Sequence, residues 1–445
     1  MLMISVSGIR GIVGQDLNPE NVTRYAAAFG TWAEKGPIVV GRDTRVSGPL
    51  FEEVVVAALR SVGCPVIKVG VQPTPTVAMA VLKHKAAGAV ILSASHNPAE
   101  WNALKFLNSK SEFLSPEEGK QVLDIAASGS STFVAYDQIG GLSTDEEALD
   151  YHIQKILELP YIDRDRIAAA KFKVAIDAVN GAGSESIPRL LRAIGVQEVE
   201  TIHCTPDGLF PHNPEPLPEY LGDICAFVRS TGSDLGVVTD PDADRLALVD
   251  NEGELFGEEN TQAAAFDFLL AIKQGPVATN LSSSDVCELI AARYGQEVHR
   301  SPVGEIHVVR KMQKVGAVIG GEGNGGVINP DLHYGRDALV GIAMMLQLMA
   351  DRNISASEYR KSLPGFFISK NKVQLGSTDP ESAMARILKK YADFHPNTED
   401  GLKLRFDEGW VHLRKSNTEP IIRIYSEAST AALAEALARR VMQDL

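Results

Sequence analysis

The feature that most constrains the fold is a repeated order of elements, in which an apolar strand-like run ends in a polar turn and leads into a helical pattern. Such units begin at PIVVGRDTRVSG, KVAIDAVNGAGSES and PVATNLSSSD, roughly 100 to 140 residues apart. Strands that alternate with helices form largely parallel sheets covered by helices. We therefore predict an α/β protein with three similar domains in tandem, each built on a mixed, largely parallel sheet.

The end of the chain follows a different pattern. KLRFDEGWVHLRKS and IIRIYSEAS are two runs of alternating apolar and polar residues, joined by residues 417–420 and followed by an alanine-rich helix. Alternation with a period of two predicts strands, and the short join predicts an antiparallel hairpin. We expect a smaller C-terminal α+β domain here.

The length of the chain also indicates several domains, because 445 residues exceed what one hydrophobic core supports. Ser143 and Glu146 form a Ser-x-x-Glu pattern, which predicts a helix start and the beginning of the second domain. A turn follows Asp250, and the pattern changes again beyond residues 363–366. The predicted domains are 1–142, 143–252, 253–364 and 365–445.

Charge and cysteine content narrow the range of partners. A formal net charge of −14 argues against nucleic acid or an anionic membrane surface as the main partner, since both are bound through excess Lys and Arg. The four cysteines form no CxxC pair, so neither a zinc site nor a disulfide framework is indicated. The start of the chain lacks the apolar core of a signal peptide, and no run of eighteen apolar residues occurs. We expect a cytoplasmic protein with a small-molecule substrate.

The first motif that can carry chemistry is LSASHNPAEWNALKF, from Leu92 to Phe106. An apolar strand delivers Ser95 to a turn, and Pro98 suits the first position of a helix because its missing N–H would be unpaired there. The free N–H groups of a helix N-terminus favour an anion, so a phosphate carried by Ser95 would be stabilised. The alternative is an ordinary helix cap without catalysis.

The second motif is SDLGVVTDPDADRLALVD, which presents Asp240, Asp242 and Asp244 after an apolar strand. If the segment stays extended, the period of two places the three carboxylates on one side, where they can bind a hard divalent cation such as Mg²⁺. A calcium EF-hand does not fit, because its sixth and twelfth positions would be Arg245 and Asn251. A haloacid-type phosphatase motif is also disfavoured, since Asp244 stands where it requires Thr or Val. A solvated acidic turn remains the alternative.

Two further loops carry polar groups that can bind a ligand. GGEGNGG places Glu322 and Asn324 on a turn, and their acceptors and donors suit adjacent hydroxyl groups. RKSNTEPIIR contains arginines and hydroxyls that can hold a phosphate. Taken alone, either loop could be a simple polar turn.

Basic residues stand near apparent strand ends: Arg10, Arg42, Arg45 and Lys105. Any single one of them would be expected to form a surface ion pair of little energetic value. Their occurrence together with the four motifs is what favours an anionic substrate.

Together, SASHNP, DPDADR, GEGNGG and RKSNTEP resemble, in order and approximate spacing, the signature loops of the α-D-phosphohexomutases. The resemblance spans essentially the whole chain. It implies four domains around a central cleft, three of similar α/β topology and a fourth smaller one, each contributing one loop. It also implies an isomerase of carbohydrate metabolism that acts on a hexose phosphate, as a monomer or a homodimer.

The resemblance further implies roles for individual residues. Ser95 would carry the phosphate, and an oxygen of that phosphate would join Asp240, Asp242 and Asp244 in binding Mg²⁺. Arg10 and Lys105 would assist proton transfer. The substrate would be bound by residues of the third and fourth loops: Glu322, Asn324, Arg414, Ser416, Asn417, Thr418 and Arg423. Supporting positions beside the phosphoserine and metal loops would be His96, Asn97 and Arg245.

The resemblance implies transfer of the phosphoryl group from Ser95 to the free hydroxyl, giving a hexose 1,6-bisphosphate that turns over and returns its other phosphate. Asn324 and Gly326 stand where bacterial phosphomannomutase/phosphoglucomutases and phosphoglucosamine mutases usually carry serine and histidine. GEGNGG with HYGRDA is similar to archaeal phosphohexomutases and to a bacterial subgroup assigned to glucosamine phosphate. We expect conversion of glucosamine 6-phosphate to glucosamine 1-phosphate. The alternatives are a phosphomannomutase/phosphoglucomutase and, more remotely, a sugar-phosphate phosphatase or a non-catalytic sensor.

Overall fold

The structure is a computed structural model that describes residues 2–5, 8–374, 379–415 and 421–445. The chain divides into two compact units, each made of two stretches. The first unit is Met1–Thr261 with Asn324–Arg360, and the second is Gln262–Gly323 with Lys361–Leu445.

The first sheet lies near the start of the first unit. Its strands are β1 (Met3–Ser5), β2 (Gly8–Ile12), β3 (Ile38–Arg42), β4 (Val66–Val71), β5 (Gly88–Leu92), β6 (Trp101–Asn108) and β7 (Leu142–Thr144). Their order is β1-β2-β6-β5-β3-β4-β7. β3, β4, β5 and β7 run parallel, whereas β6, β2 and β1 add antiparallel pairs. The sheet is therefore mixed, with a parallel core.

Helices cover this first sheet: α1 (Pro19–Trp32), α2 (Gly48–Ser61), α3 (Thr74–His84) and α4 (Pro116–Ser128). The ends of α1 and α4 follow local sequence rules, because Asn18 and Ser115 form capping boxes and a proline occupies the first helical turn of each. In the core, the rings of Phe29 on α1 and Phe106 on β6 stack with centroids 4.7 Å apart. This packing fixes β6 against α1.

The second sheet completes the N-terminal stretch of the first unit. Its strands are β8 (Lys173–Asp177), β9 (Glu198–Ile202), β10 (Leu235–Thr239) and β11 (Leu246–Asp250), in the order β11-β10-β8-β9. The accompanying helices are α5 (Ala148–Leu157), α6 (Arg164–Ala170), α7 (Gly183–Ala193) and α8 (Gly222–Thr231). β9, β8 and β10 are parallel and β11 is antiparallel, so the loop from β10 to β11 is a tight reversal.

The third α/β segment begins with α9 (Glu258–Leu270). It continues with β12 (Val277–Asn280), α10 (Val286–Arg293), β13 (Val298–Ser301), α11 (Glu305–Val315) and β14 (Ile319–Glu322). β12 pairs in parallel with both β13 and β14. The next elements, β15 (Gly326–Ile328) and α12 (Ala338–Arg352), belong to the first unit, and α13 (Ala356–Ser362) follows them.

The C-terminal sheet is antiparallel throughout its described pairs. Its elements are β16 (Phe367–Gln374), α14 (Pro380–Lys390), β17 (Leu402–Phe406), β18 (Gly409–Lys415), β19 (Ile421–Ala428) and α15 (Ala431–Met442). The strand order is β16-β19-β18-β17. The predicted class is confirmed: three mixed α/β regions with largely parallel sheets precede an antiparallel C-terminal domain.

One local prediction was wrong. The Ser-x-x-Glu pattern at Ser143 does not cap a helix, because Leu142–Thr144 forms β7 and pairs with β4. Helix α5 begins at Ala148, after Glu147, which makes no side-chain cap hydrogen bond. Pairing with the edge of the sheet satisfies the backbone of residues 142–144 and outweighs the local capping preference. The predicted domain limits themselves stay predictions.

Among the described residues, none of the helices combines the length and the apolar character that a bilayer crossing requires.

Candidate active site

Ser95 lies on a turn between two antiparallel strands. β5 ends at Leu92, the backbone of Ser95 has a positive φ of 50°, and its N–H donates to the hydroxyl of Ser93 over 3.0 Å. The predicted helix start at Pro98 is wrong, because the chain reverses and returns as β6 beside β5. The apolar run after Pro98 is buried by pairing with β5 and β2. A phosphate on Ser95 would therefore be neutralised by side chains and not by a helix N-terminus at this position.

The Ser95 turn is held by Arg45, which is fully buried. Its guanidinium donates to the carbonyl oxygens of Ser95 at 2.6 Å, Asn97 at 2.7 Å, Pro98 at 2.6 Å and Trp101 at 3.0 Å. Its Nε donates to Asp43 over 3.0 Å. The expectation of a surface ion pair is thus wrong for Arg45, which uses its fixed fork of donors to shape the turn.

The three aspartates of the second motif lie on the reversal between β10 and β11, and all three are fully buried. Their ligand oxygens lie within 4.8 Å of one another. The segment is not extended as the sequence interpretation assumed: it is a turn in which Ala243 has a φ of 49°. The carboxylates converge because the chain curls around one point.

Two of these carboxylates accept hydrogen bonds from other residues of the predicted site. The hydroxyl of Ser95 donates to Asp240 Oδ2 over 2.7 Å. Lys105 Nζ, on β6, donates to Asp242 Oδ2 over 2.6 Å and lies 3.7 Å from Asp244 Oδ2. The structure therefore brings Ser95, Lys105 and the aspartates into one cluster.

The third aspartate is paired with a residue that the sequence interpretation did not select. Arg336 donates to Asp244 Oδ2 over 2.7 Å and is buried. It belongs to HYGRDA, a motif that was noted for its resemblance and not for chemistry. The distance of 92 residues between the two partners gives no local signal.

Charges in this cluster are strongly coupled. Burial, together with the neighbouring charges of Asp244 and Asp242, raises the pKa of Asp240 well above its ordinary value. Burial opposes ionisation of Asp242 as well, but the charge and hydrogen bond of Lys105 outweigh it and lower that pKa. For Lys105, burial is outweighed by Asp242 and Asp244, so the pKa of its ammonium is raised and it stays protonated. The Lys105 ammonium and the Asp242 carboxylate therefore form a buried ion pair.

The residues present fit a divalent cation. Asp242 Oδ1 and Asp244 Oδ1 are buried and have no hydrogen-bond partner among the residues that the structure describes. Buried carboxylate oxygens without partners are costly unless a cation satisfies them. Convergent carboxylate oxygens are the ligands that Mg²⁺ prefers.

The other residues of the predicted site in the first unit are Arg10, His96, Asn97 and Arg245. They lie beside the Ser95 turn or contact Asp240. Arg10, on β2, donates to Asn97 Oδ1 over 2.7 Å. His96 Nδ1 lies 3.3 Å from the Ser95 hydroxyl, and burial followed by the charges of Arg245 and Arg10 lowers the pKa of His96 to about 2. The imidazole is therefore neutral. Arg245 donates its backbone N–H to Asp240 Oδ1 over 3.2 Å.

The N-terminus of helix α3 contacts the loop that carries Asp240, Asp242 and Asp244. The sequence does not predict this contact. Thr74, the first residue of α3, donates its hydroxyl to Asp242 Oδ2 over 2.5 Å and its backbone N–H to the Asp242 carbonyl over 2.9 Å. Threonine after proline at a helix start is common and carries no signal of its own. Only the fold brings it to an aspartate 168 positions away.

Asn324 lies in the first unit beside Arg336. Asn324 Oδ1 is a buried atom with no hydrogen-bond partner in the described part of the chain. A Cβ added at Gly326 would lie 2.3 Å from Arg336 Cδ and 3.2 Å from Asn324 Oδ1. Arg336 therefore reaches Asp244 across a position that only glycine leaves open.

In the second unit, Glu322 is buried at the end of β14. Its Oε1 accepts hydrogen bonds from Asn280 Nδ2 at 2.9 Å and from the Gly304 N–H at 3.0 Å. Asn280 is the last residue of β12. It is used here to orient the glutamate.

Arg414, on β18 in the same unit, forms an ion pair with Asp400, with Nε 2.8 Å from Oδ2. That oxygen also accepts the N–H of Val303 over 2.8 Å, so residues 303–304 connect Arg414 and Glu322. Arg423, on β19, is exposed and lies directly opposite Arg414 in the strand register. Ser416, Asn417 and Thr418 lie outside the described residues.

Comparison with known families agrees with this architecture. The descriptions "Phosphoglucomutase/phosphomannomutase, alpha/beta/alpha domain" I, II and III match residues 2–133, 150–253 and 259–366. The description of the C-terminal domain of the same family matches residues 372–443. The four matches follow one another along the chain.

Curated relatives are similar over nearly their whole length. A "Probable phosphoglucosamine mutase" of Methanopyrus kandleri is 35% identical over 437 residues, which cover 97% of this chain and 95% of the relative. A "Phosphoglucomutase/phosphomannomutase" of Thermococcus kodakarensis is 36% identical over 432 residues, covering 95% and 94%. Among solved structures, a phosphoglucomutase/phosphomannomutase family protein from Burkholderia thailandensis has the same fold, with a TM-score of 0.85 at 24% identity over 99% and 98% of the two chains.

The chain belongs to the phosphoglucomutase/phosphomannomutase family of α-D-phosphohexomutases. It is a phosphohexomutase, an isomerase of the phosphoglucosamine mutase-like kind.

Proposed function

We propose that this phosphohexomutase transfers a phosphoryl group between the 6- and 1-positions of a hexose through a phosphate carried on Ser95. The observation that supports this proposal most directly is the 2.7 Å contact between the Ser95 hydroxyl and Asp240 within a cluster of three buried carboxylates. Protein cations contact this cluster. Lys105 donates to Asp242 over 2.6 Å, and Arg245 Nε lies 4.0 Å from Asp240 Oδ2. Arg10 donates to Asn97 on the Ser95 turn. These side chains can neutralise a phosphate on Ser95.

We propose that Asp240, Asp242 and Asp244, with one phosphoserine oxygen, bind Mg²⁺. When bound, the ion would neutralise charge on the oxygens of the transferred phosphoryl group. Asp242 Oδ1 and Asp244 Oδ1, which accept no hydrogen bond from the described residues, support this assignment. Thr74 and Arg336 hold the other oxygens of these two aspartates in place.

In this mechanism the chain's own residues orient the reacting groups and manage protons. Arg45 fixes the carbonyl oxygens of residues 95–101, so that the Ser95 Oγ is presented in one direction. Positioning of this kind supplies a large part of catalysis in phosphoryl transfer. Lys105, protonated at Nζ, and Arg10 assist proton transfer as the phosphoryl group leaves or returns to Oγ.

For substrate binding we propose that Glu322 and Asn324 recognise sugar hydroxyls and that Arg414 and Arg423, with Ser416, Asn417 and Thr418, bind the phosphate already present. The two hydrogen bonds that orient Glu322 support a fixed recognition role. The directly opposed Arg414 and Arg423 provide the concentrated positive charge that a phosphate dianion requires. The hexose 1,6-bisphosphate is the intermediate and the activator.

We propose glucosamine 6-phosphate as the preferred substrate, converted to glucosamine 1-phosphate. The names of several relatives at about one third identity support this choice, including a "Phosphoglucosamine/phosphogalactosamine mutase" of Sulfurisphaera tokodaii at 32%. The Thermococcus relative, named for glucose and mannose phosphates, makes those sugars the second candidate.

The test is a comparison of kcat/KM for the 6-phosphates of glucosamine, glucose and mannose, with Mg²⁺ and a catalytic amount of the matching bisphosphate. We expect the highest value for glucosamine 6-phosphate. Negligible turnover of that sugar beside efficient turnover of another would overturn the substrate assignment. Inorganic phosphate is measured in parallel, because its release without isomerisation would indicate a phosphatase.

A further inference from the structure

A second cluster of ligand-type side chains lies in the first unit and shares no residue with the three aspartates. Asp177, His203 and His212 each offer an atom within 4.8 Å of the others. Asp177 ends β8 and is buried, with Oδ1 accepting the Val179 N–H over 2.9 Å. Its Oδ2 lies 3.0 Å from His203 Nδ1 and 3.1 Å from His212 Nε2. Two imidazoles therefore face one carboxylate oxygen.

The hydrogen bond of His212 Nδ1 fixes the protonation of that nitrogen. It therefore restricts how the other ring nitrogen, Nε2, can contact Asp177. His212 Nδ1 lies 2.8 Å from the carbonyl oxygen of Asn213, which can only accept, so Nδ1 carries a proton. In a neutral imidazole Nε2 then has a lone pair, and this lone pair points at Asp177 Oδ2. The contact is favourable only if Nε2 is also protonated or if a cation is shared between the two atoms.

The geometry suits a shared transition-metal ion. Ligand atoms bound at about 2.0–2.1 Å in a tetrahedral zinc site lie about 3.3 Å from one another. The separations of 3.0 and 3.1 Å are close to that value. A metal-binding histidine also typically donates its other N–H to a carbonyl or carboxylate, as His212 does to Asn213.

The backbone around the cluster is bent into the arrangement. Val179, Asn180 and His203 all have φ near +50°, a conformation that costs energy, above all for the branched valine. The Asn180 N–H donates to the His203 carbonyl over 2.7 Å, which joins the two bent segments. These turns direct Asp177 and His203 toward the same point.

We propose that Asp177, His203 and His212 form a second metal site, which binds a divalent transition metal of the zinc class with water completing the coordination. Two imidazoles and one carboxylate are a ligand set typical of such ions and not of Mg²⁺. The neighbouring Cys204 is not among the residues whose ligand atoms converge, and its thiol faces the carbonyl oxygen of Ile202 at 3.3 Å. The site is distinct from the aspartate cluster.

A metal at this position would fasten the segment from 203 to 215 to the end of β8. Within that segment Gly208 lies against the backbone of Thr44, where a Cβ would be 2.1 Å from the carbonyl oxygen. At its end, Glu215 lies 3.6 Å from Arg245 and 4.0 Å from His96, beside the Ser95 turn. The metal therefore has a structural role: it stabilises the position of residues 203–215, which end beside the Ser95 turn.

Zinc binding by the full-length, chelator-treated protein tests the proposal. Titration with Zn²⁺ is followed by calorimetry in excess Mg²⁺, and is repeated in Asp242→Asn so that binding at the aspartate cluster is identified separately. We expect one equivalent of Zn²⁺ that persists in Asp242→Asn. In His212→Gln, which can still donate a hydrogen bond to Asp177, we expect zinc affinity to fall at least about tenfold.

His299→Gln is the matched control, because His299 is a partly exposed histidine on β13 in the second unit. It should bind Zn²⁺ like the wild type, and Zn²⁺ should raise the thermal midpoint of the wild type and of this control but not of His212→Gln. Equal zinc binding by His212→Gln and His299→Gln would overturn the proposal. So would absence of zinc binding in the wild type, in which case Asp177 holds a protonated His212.

Discussion

Gly326 and Arg336 show how one small residue determines the partner of a buried carboxylate in the aspartate cluster. Arg336 reaches Asp244 only because position 326 has no side chain, since a Cβ there would lie 2.3 Å from Arg336 Cδ. The sequence interpretation noted Gly326 as a departure from relatives that carry histidine, and treated it as a matter of substrate choice. The structure shows in addition that this glycine leaves room for the Arg336 side chain beside Asp244.

Replacing Gly326 with alanine should displace Arg336 from Asp244. We expect kcat/KM for the preferred hexose phosphate to fall about tenfold or more, because a buried carboxylate loses its charged partner, a change worth about 1.5–3 kcal/mol. Steady-state kinetics with saturating Mg²⁺ measure the effect. Gly141→Ala is the control, since a Cβ there meets nothing within 4 Å. Equal kcat/KM in both variants would contradict the coupling of Gly326 and Arg336.

At the scale of elements, the Ser95 turn is a rigid unit built by Arg45. Its side chain donates to four carbonyl oxygens of the turn and to Asp43, and it is fully buried. The turn has no helix to organise it, so these hydrogen bonds replace the capping interactions that the sequence predicted. The direction of Ser95 thus depends on a residue from the loop after β3.

Arg45→Lys should lower activity because an ammonium cannot reproduce the planar fork of a guanidinium. We expect kcat to fall about a hundredfold and the unfolding free energy to fall by about 2–4 kcal/mol, as for a buried charge that loses some of its partners. Kinetics and urea denaturation measure the two effects. Lys120→Arg, on an exposed i,i+4 pair with Asp124, should change stability by less than about 0.5 kcal/mol. Wild-type kcat in Arg45→Lys would refute this role.

The same elements show what sequence can and cannot predict. Apolar runs and turns gave the α/β class, the antiparallel C-terminal sheet and the position of Ser95 after β5, because these depend on local periodicity. The wrong helix at Pro98 and the wrong cap at Ser143 arose where sheet pairing outweighed a local preference. Thr74, Arg45 and Arg336 were missed or misjudged because their contacts join residues 50 to 168 positions apart.

At the scale of the whole molecule, the first unit contains a buried network of histidine and aspartate side chains that links three of its helices. His152 on α5 contacts the Thr76 hydroxyl of α3 at 3.0 Å and Asp337 Oδ2 at 2.9 Å. Asp337 also caps α12, through the N–H groups of Leu339 and Val340. The network thereby connects α3, α5 and α12. Two residues beside this network contact the aspartate cluster: Thr74 on α3 donates to Asp242, and Arg336 donates to Asp244.

Asp337→Asn should destabilise the protein in a pH-dependent way. Burial alone would raise the pKa of Asp337, but the charges and hydrogen bonds of His152 and His333 outweigh it and lower that pKa below 3.8. A depressed carboxyl pKa contributes stability that is present above the unfolded value and is lost as pH falls through the folded one. We expect a loss of about 1–3 kcal/mol near pH 7 that shrinks as pH falls below about 4.

Thermal or urea unfolding of wild type and Asp337→Asn between pH 3 and 7 measures this difference. Asp124→Asn, at an exposed position, is the control and should follow the wild type at every pH. A difference between wild type and Asp337→Asn that stays constant with pH would show that the charge of Asp337 is not what stabilises the network.

We propose above all that Ser95 carries the phosphoryl group and exchanges it with the sugar. Peptide mass mapping tests this most directly, after incubation with a hexose 1,6-bisphosphate and a chase with excess hexose 6-phosphate. We expect a phosphate on the Ser95 peptide that disappears during the chase, and neither phosphate nor mutase turnover in Ser95→Ala. A phosphate found on another residue, or undiminished turnover in Ser95→Ala, would contradict it.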